Sequence, residues 1–552
     1  MRSKLFAGAA LAAVALALSA GPSFTRDSAV DPLAISAICS NEAAGSGGST
    51  PAPTPAAAPP RMLAGYGNNA FAITTKNPEA QKWFDYGLTL ARAFAHRPAK
   101  LAFAEAARLD PDCAMCAWGQ AWADGPTINY PINATEKAAA LKLAMKAQAL
   151  AANGPEKERV LAAALVRRYA EGDKAFAEAL RAAHRQWPDD DEIAVWTADA
   201  MMVALGWEFK PEAATPSVAL LETVLERNPD HSGAIHFYIH ATEWQEDQEK
   251  AVPYADRLAL IAPAASHLIH MPSHTYFWVG RYQDAAKVNL QAIAADEAWI
   301  KATGWDKGEW KVDYFGHNVR FALGGALIAG DAASALKIAA RYETSPDARA
   351  ASPWAQSGVG AAQVAYGRYS DPDAVLALPA PPKDQPFVLA MHHYARGEAL
   401  ARKGDAKGAR AEAAKIRPSG HKMLKVQMEI AREVLLGRAE MLEGDYRSAA
   451  KYFRKAADRQ DKVLGTHGDP PVWWYPVRRS LAAALLADGK PNPAAEEARA
   501  VLKFWKNEPM TLLVLARAET ALGREQAADA ALAKGRAAWN GAALDKTAPA
   551  TI

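Results

Sequence analysis

The chain has 552 residues, half of them apolar and rich in alanine, with 63 Lys+Arg against 61 Asp+Glu. That length exceeds one compact core, so several domains or a repeat array is expected. A net charge of +2 gives no electrostatic case for nucleic acid, and there is no strongly basic block for a membrane surface.

In chain order, Arg2 and Lys4 precede the apolar run "LFAGAALAAVALALSA", which ends in small residues near Ala20. This is the pattern of a secretory signal peptide, residues 1–20. The run is shorter than the ~20 residues of a spanning helix. The mature chain is expected to be exported, into the periplasm, with no membrane span after cleavage. Residues 21–62 form a Pro/Ala/Gly/Ser linker, disordered by composition, of which "NEAAGSGGSTPAPTPAAAPPRM" is the clearest part. Three cysteines follow from export as a structural question: Cys39, Cys113 and Cys116. In an oxidising compartment a disulfide is expected, within "CAMC" or from Cys39 to one of that pair. A thiol-redox pair is the alternative, weakened by the lack of a βαβ pattern.

From residue 78 the chain is helical, with few β-branched runs and no alternating strands. "AQKWFDYGLTLARAFAHRPAKLAFAEAARLDP" carries Trp83, Gly87, Phe103, Ala106 and Pro111 at the spacing of the tetratricopeptide (TPR) motif. "GRYQDAA", "GDAASA", "GDAKGA", "GDYRSA" and "GREQAADA" mark turns between paired helices. Pro229 and Pro263 lie 34 residues apart, as do Gly489 and Gly523. The chain thus resembles TPR proteins over most of residues 75–540. The expected fold is all-α: an α-solenoid of roughly eight to ten TPR-like helix pairs over residues 63–540 with a concave groove, then a disordered tail, 541–552. Two insertions interrupt the rhythm, 204–217 and 459–479. The second holds Trp473, Trp474 and Tyr475 beside three prolines, as an aromatic wall of a binding face or as ordinary packing.

Histidines are concentrated in one place. Of 13 in the chain, five fall within residues 236–274: His236, His240, His267, His270 and His274. Simple proportion predicts roughly one. With Pro229 and Pro263 closing successive repeats, the next helices start near Ser232 and Ser266. His236 and His270 are then equivalent, as are His240 and His274. Each i, i+4 pair shares one helical face, with β-carbons ~5–6 Å apart. The TPR resemblance implies that the second, fifth and ninth positions of the first helix of a repeat face the groove. His236 and His270 occupy the fifth, His240 and His274 the ninth, His267 the second, and His317 the second of a following repeat. Pro272 removes a helical hydrogen bond between His270 and His274 and is expected to kink that helix.

Neutral imidazoles on helices ~8–10 Å apart can meet at one ion ~2.0–2.1 Å from each nitrogen, or divide between two ions. All-histidine donors without cysteine disfavour a structural zinc knot. They favour copper or zinc, with iron also compatible. Glu243, one turn beyond His240, is the candidate catalytic base, and Asp313 near His317 is a second carboxylate. Tyr238, Tyr276, Trp278 and Tyr314 would suit oxidative chemistry, or ordinary packing. His392 and His393 fall at interface positions and are assigned to packing.

The strings "DPDCAMCAWGQAWADGPTINYP", "HFYIHATE", "HLIHMPSHTYFWVGRYQDAA", "YFGHNVRFAL" and "PPVWWYPVRRSLAAALL" resemble a group of bacterial exported TPR proteins, mostly of undescribed function. In that group the segment matching 317–320 often ends in histidine, where this chain has Arg320. Nucleotide-loop, serine-hydrolase, HExxH and haem-attachment motifs are absent. Two functions remain. One is a multi-histidine transition-metal site, in a metalloenzyme (oxidative or hydrolytic) or a metal-handling protein. The other is a metal-free scaffold that takes a small molecule, peptide or protein partner in its groove.

Overall fold

A computed structural model describes residues 61–206, 210–345, 353–465 and 469–552. The expected signal peptide, Cys39 and nearly all of the linker lie outside these residues, as do short parts of both insertions. The described chain is a succession of helices. The first half comprises α1 Pro78–Arg92, α2 His96–Leu109, α3 Ala114–Ala123, α4 Ala134–Ala151, α5 Glu156–Glu171, α6 Asp173–Gln186, α7 Asp191–Leu205, α8 Thr215–Arg227, α9 Ser232–Gln245, α10 Val252–Ile261, α11 Ser266–His270, α12 Pro272–Val279, α13 Tyr282–Thr303 and α14 Phe315–Ala329. The second half comprises α15 Ala332–Arg341, α16 Pro353–Tyr369, α17 Pro372–Ala377, α18 Pro386–Arg402, α19 Ala406–Ala413, α20 Lys422–Glu443, α21 Tyr446–Arg459, α22 Arg478–Ala487, α23 Pro491–Leu502, α24 Pro509–Ala521 and α25 Glu525–Ala537. Sequence neighbours pack against each other almost throughout, which makes the array a solenoid.

The Gly-Asp dipeptides show how the sequence writes its hairpins. Gly330, Gly404 and Gly444 end helices in the left-handed region, at φ 76°, 79° and 80°, where an L side chain is strained. The aspartate that follows caps the next helix: Asp331 accepts from the Ser334 amide, Asp405 from Gly408 and Asp445 from Ser448. Small residues then admit close packing. A β-carbon at Gly87 would come within 2.8 Å of the Phe103 ring and one at Gly119 within 2.4 Å. Phe103 is fully buried between them. Its truncation to alanine would cost about 3–5 kcal/mol.

Three features close the solenoid around its middle. Residues 61–77 run without helix across the first repeats. There the Ala264 amide donates to the Gly65 carbonyl at 2.8 Å and the Ser232 hydroxyl to Asn69 Oδ1 at 2.9 Å. The far end of the chain curls back: Lys506 pairs with Glu249 at 2.6 Å, and the Asn540 amide donates to the Ala329 carbonyl at 2.8 Å. Val501 and Trp505 share the core of the first half. Third, residues 469–477 of the second insertion fold inward. Trp473, Trp474 and Tyr475 are buried in the core of the second half, so they act in packing.

The last twelve residues depart from the expected disordered tail. Leu544 and Ile552 are buried. The Ser480 hydroxyl donates to the Ile552 carbonyl at 2.6 Å, and Arg438 donates to the Ala550 carbonyl at 2.9 Å. Buried polar groups on α20 and α22 supply partners that composition alone does not reveal. Cys113 and Cys116 form a disulfide at the start of α3, both buried, one of the two expected outcomes. Among the described residues, no helix is long and apolar enough to cross a membrane.

Candidate metal centre

Helix α9 starts at Ser232 and α11 at Ser266, as the repeat register predicts. Pro272 divides what would be one helix: α11 ends at His270 and α12 begins at Pro272. The Met271 amide still reaches the His267 carbonyl at 2.9 Å and the His274 amide the Met271 carbonyl at 3.1 Å, so the ladder is interrupted rather than lost. His236 and His240 therefore come from α9, His267 and His270 from α11, His274 from α12 and His317 from the first turn of α14.

All six rings meet in one cluster. Neighbouring ring centroids are 5.2 Å apart for His236 and His240, 5.0 Å for His236 and His267, and 5.3 Å for His240 and His274. The chain continues through His267 and His270 at 5.5 Å, His270 and His274 at 4.9 Å, and His270 and His317 at 4.4 Å. No ring is more than 5 % exposed, so the imidazoles form a closed interior rather than the wall of an open groove. Aromatic rings complete the enclosure. Phe94 stacks on His267 at 5.0 Å and meets His236 edge-on at 4.3 Å. Tyr314 lies 4.2 Å from His267. Phe321 touches His270, His274 and His317 at 4.6, 4.8 and 4.4 Å. Phe94 and Tyr314 both sit in the left-handed region, at φ 52° and 64°. Each such residue costs about 1–3 kcal/mol and persists only where its surroundings hold it.

The ring nitrogens fall into two triads: His236, His240 and His267, and His270, His274 and His317. In each, one ligand atom per residue lies within 4.8 Å of the others. In the second triad His270 Nε2 is 3.0 Å from His274 Nε2 and 2.9 Å from His317 Nε2. The far side of the His270 ring fixes its tautomer. Asn289 Nδ2 donates to the Ala285 carbonyl at 2.7 Å, so Asn289 Oδ1 faces His270 and accepts from Nδ1 at 2.6 Å. His270 is neutral, its pKa driven well below the ordinary value by burial and by His317 and His274. Its Nε2 thus carries a lone pair aimed at two other ring nitrogens. One lone pair aligns with one N–H at a time. A cation between the three nitrogens satisfies all of them.

His274 is oriented from behind by carboxylates. Its Nδ1 donates to Asp469 and lies 3.4 Å from Glu243 Oε2. Trp278 Nε1 donates to Glu243 Oε1 at 3.3 Å. Burial pulls His274 down, but Asp469 and Glu243 overcome it and raise it to about 10, so an ion binding at its Nε2 would displace the proton there. Burial and the Glu243 charge raise Asp469 to about 7. In the first triad His236 Nδ1 donates to the Arg92 carbonyl at 2.6 Å, and His236 Nε2 faces His267 Nε2 at 3.2 Å. Burial presses His236 down to about 3 and His240 and His267 well below the ordinary value. A ring nitrogen at the centre with its other nitrogen anchored on an oxygen is the arrangement that orients histidine ligands toward a metal.

The other candidates separate. Asp313 faces Arg97 and Lys100 across the His96 end of α2, with burial raising its pKa. Tyr276 donates to Asp256 at 2.6 Å and Tyr238 to Glu222 at 2.9 Å, away from the rings, so both serve packing. His393 binds Glu412 at 2.8 Å and His392 is buried, in keeping with interface roles. Four functional neighbours carried no sequence signal of their own: Phe94, Asn289, Phe321 and Arg92, whose carbonyl anchors His236. Asp469 had a weak one, since it lies in an insertion expected on a binding face.

No protein-family model matches the chain, and no curated protein matches it in sequence. Its likeness to solved structures is to helical repeat proteins, at low identity. The human IFIT1 dimer with m7Gppp-AAAA is 12% identical, covering 77% of this chain and 90% of that one, at a TM-score of 0.31. The APC/C hetero-tetramer Cut9–Hcn1 is 14% identical over 80% and 76%, at 0.29. Naa15/Naa10 bound to HypK-THB is 12% identical over 86% and 90%, at 0.23. These superpositions are too loose to carry any functional argument.

Proposed function

We propose that this chain is an exported, periplasmic TPR-like protein whose six-histidine interior binds a transition metal, copper or zinc before iron. The observation that supports this best is the approach of His274 and His317 Nε2 to His270 Nε2, at 3.0 and 2.9 Å, with His270 and His274 anchored at Nδ1 by Asn289 and by Asp469. Two nitrogens on one ion at ~2.0–2.1 Å would lie roughly 3–3.4 Å apart, close to what the rings already adopt. His236, His240 and His267 extend the donor set. When bound, the metal would supply redox or Lewis-acid chemistry.

Oxidative chemistry on a small molecule, or metal handling, fits the site better than hydrolysis. Glu243 stands on the Nδ1 side of His274, engaged by His274 and Trp278, and so holds the ring instead of addressing the converging nitrogens. Burial of every ring admits a small molecule or an ion more readily than a peptide chain. Elemental analysis and ultraviolet–visible spectra of chain purified from the exported fraction test the reading. At least one ion per chain is expected. Less than ~0.3 per chain, unchanged by alanine at His240 and His274, sinks it and leaves the metal-free scaffold that binds a peptide partner. Sequencing the N-terminus of the exported chain tests cleavage near Ala20.

A further inference from the structure

We infer that the cluster is a duplicated metal site, in which His236, His240 and His267 form one three-imidazole position and His270, His274 and His317 another. The inference rests on the metal reading above and goes beyond it in number, position and order of loading.

The repeat register carries the duplication. Each triad takes the fifth and ninth positions of one repeat and the second position of the next. His236 and His270 are 34 residues apart, as are His240 and His274. The third members break the spacing, 27 residues after His240 but 43 after His274 (267 − 240 and 317 − 274). The extra length is accommodated by the long α13, Tyr282–Thr303, and the segment after it, and His317 still arrives in the first turn of α14.

The first triad also shows what a ligand would satisfy. His236 Nε2 is left with its lone pair, because Nδ1 donates to the Arg92 carbonyl. It faces His267 Nε2 at 3.2 Å. His240 Nε2 and His267 Nδ1 are buried with no hydrogen-bond partner. A ring nitrogen buried and unpaired is costly, and buried polar groups are rarely left so. A metal ion among His236, His240 and His267 gives His240 Nε2 a partner and turns the His236–His267 opposition into shared coordination. His240 adjoins His274 and His267 adjoins His270, at 5.3 and 5.5 Å between centroids, so the two positions lie side by side.

The two positions differ in charge. The second is backed by the Asp469 and Glu243 carboxylates, whereas the first has the Arg92 carbonyl and the Phe94 and Tyr314 rings. A divalent ion therefore fills the second position first.

The test uses the full mature chain, stripped with a chelator and titrated with zinc(II), with stoichiometry read by calorimetry and by elemental analysis after gel filtration. Two ions per chain are expected. The variant His240→Gln/His267→Gln should keep one ion, the tighter. The variant His270→Gln/His317→Gln should keep one, bound at least tenfold more weakly than the wild type's first. A wild-type endpoint at one ion, lost only in His270→Gln/His317→Gln, overturns the position at His236, His240 and His267 and leaves the proposed function standing. One ion lost in either variant means a single shared site and overturns the duplication. No ion at all overturns the proposed function itself. Circular dichroism checks that the variants fold. If they do not, cobalt(II) titration of the wild type followed by its visible bands decides alone, since an endpoint at one equivalent refutes the duplication.

Discussion

The two histidine triads are built by the same repeat rule and finished by different neighbours. In the first, the ring anchored at its far nitrogen leans on a backbone carbonyl, and aromatic rings surround the set. In the second, an amide and two carboxylates stand behind the rings. Periodicity places converging donors wherever it repeats. The polar groups that tune the second set come from three places: Asp469 from the insertion, Asn289 from α13 and Glu243 from α9. Duplication of ligands therefore does not duplicate affinity.

The largest expected effect strikes both triads alike. Asp296 on α13 accepts from Asn318 Nδ2 at 3.0 Å and is hydrogen-bonded by Ser266. Ser266 precedes His267 and Asn318 follows His317, so one carboxyl ties down the third ring of each triad. Burial raises Asp296 from its ordinary 3.8 to about 7. A carboxyl raised in the folded state contributes stability that is whole below the unfolded value near 4 and is lost as pH climbs through 7. Three pH units amount to about 4 kcal/mol at full ionisation. The buried neutral histidines tilt both proteins the other way, so the effect is read as a difference: the metal-free Asp296→Asn variant should gain stability relative to the wild type between pH 5 and pH 8. Equal slopes in the two proteins would remove Asp296 from this role. Metal affinity at both positions should fall together in the variant.

Asp469→Asn separates the triads. It leaves His274 in place but removes one of the two carboxylates behind it. Loss of such an outer partner typically weakens metal binding 10–100-fold. The second position should weaken by that factor and the first should not change, which would bring the two affinities together or reverse their order. Competition against a zinc chelator measures both. An equal loss at both positions would mean that the triads act as one site.

The clustering of the six histidines was legible because they obey the period. His236, His240, His270 and His274 follow from two prolines and a 34-residue count, and His267 and His317 from the same register. The fold was legible for a related reason. Gly-Asp turns and small-to-large contacts such as Gly87 on Phe103 are local, and they repeat. What escaped was long-range. Asp469 lies 195 residues from His274 and Arg92 lies 144 from His236, distances at which no pattern in one sequence pairs residues. The burial of the cluster escaped for the same reason, since Phe94, Tyr314 and Asp469, drawn from three distant parts of the chain, help to cover it. The closing residues 541–552 look featureless by composition, yet they hold buried partners on α20 and α22.

The smallest effect sharpens the comparison most finely. Phe321 touches all three rings of the second triad and Phe94 two of the first at 5.0 Å or less. Leucine at either site removes ring stacking worth about 0.5–1.5 kcal/mol while keeping most of the apolar volume. Phe321→Leu should therefore loosen the second position less than tenfold and spare the first. Phe94→Leu should do the reverse, with a complication. Phe94 is held at φ 52°, a conformation as uncomfortable for leucine as for phenylalanine, so the strain persists while the stacking that opposes it is gone. The metal-free protein should consequently lose more stability from Phe94→Leu than from Phe321→Leu, and bound metal should recover part of that loss. Thermal melting of the two variants, with and without zinc(II), checks it. Equal destabilisation would show that the left-handed turn at Phe94 is held by the backbone alone and owes nothing to the histidines beside it.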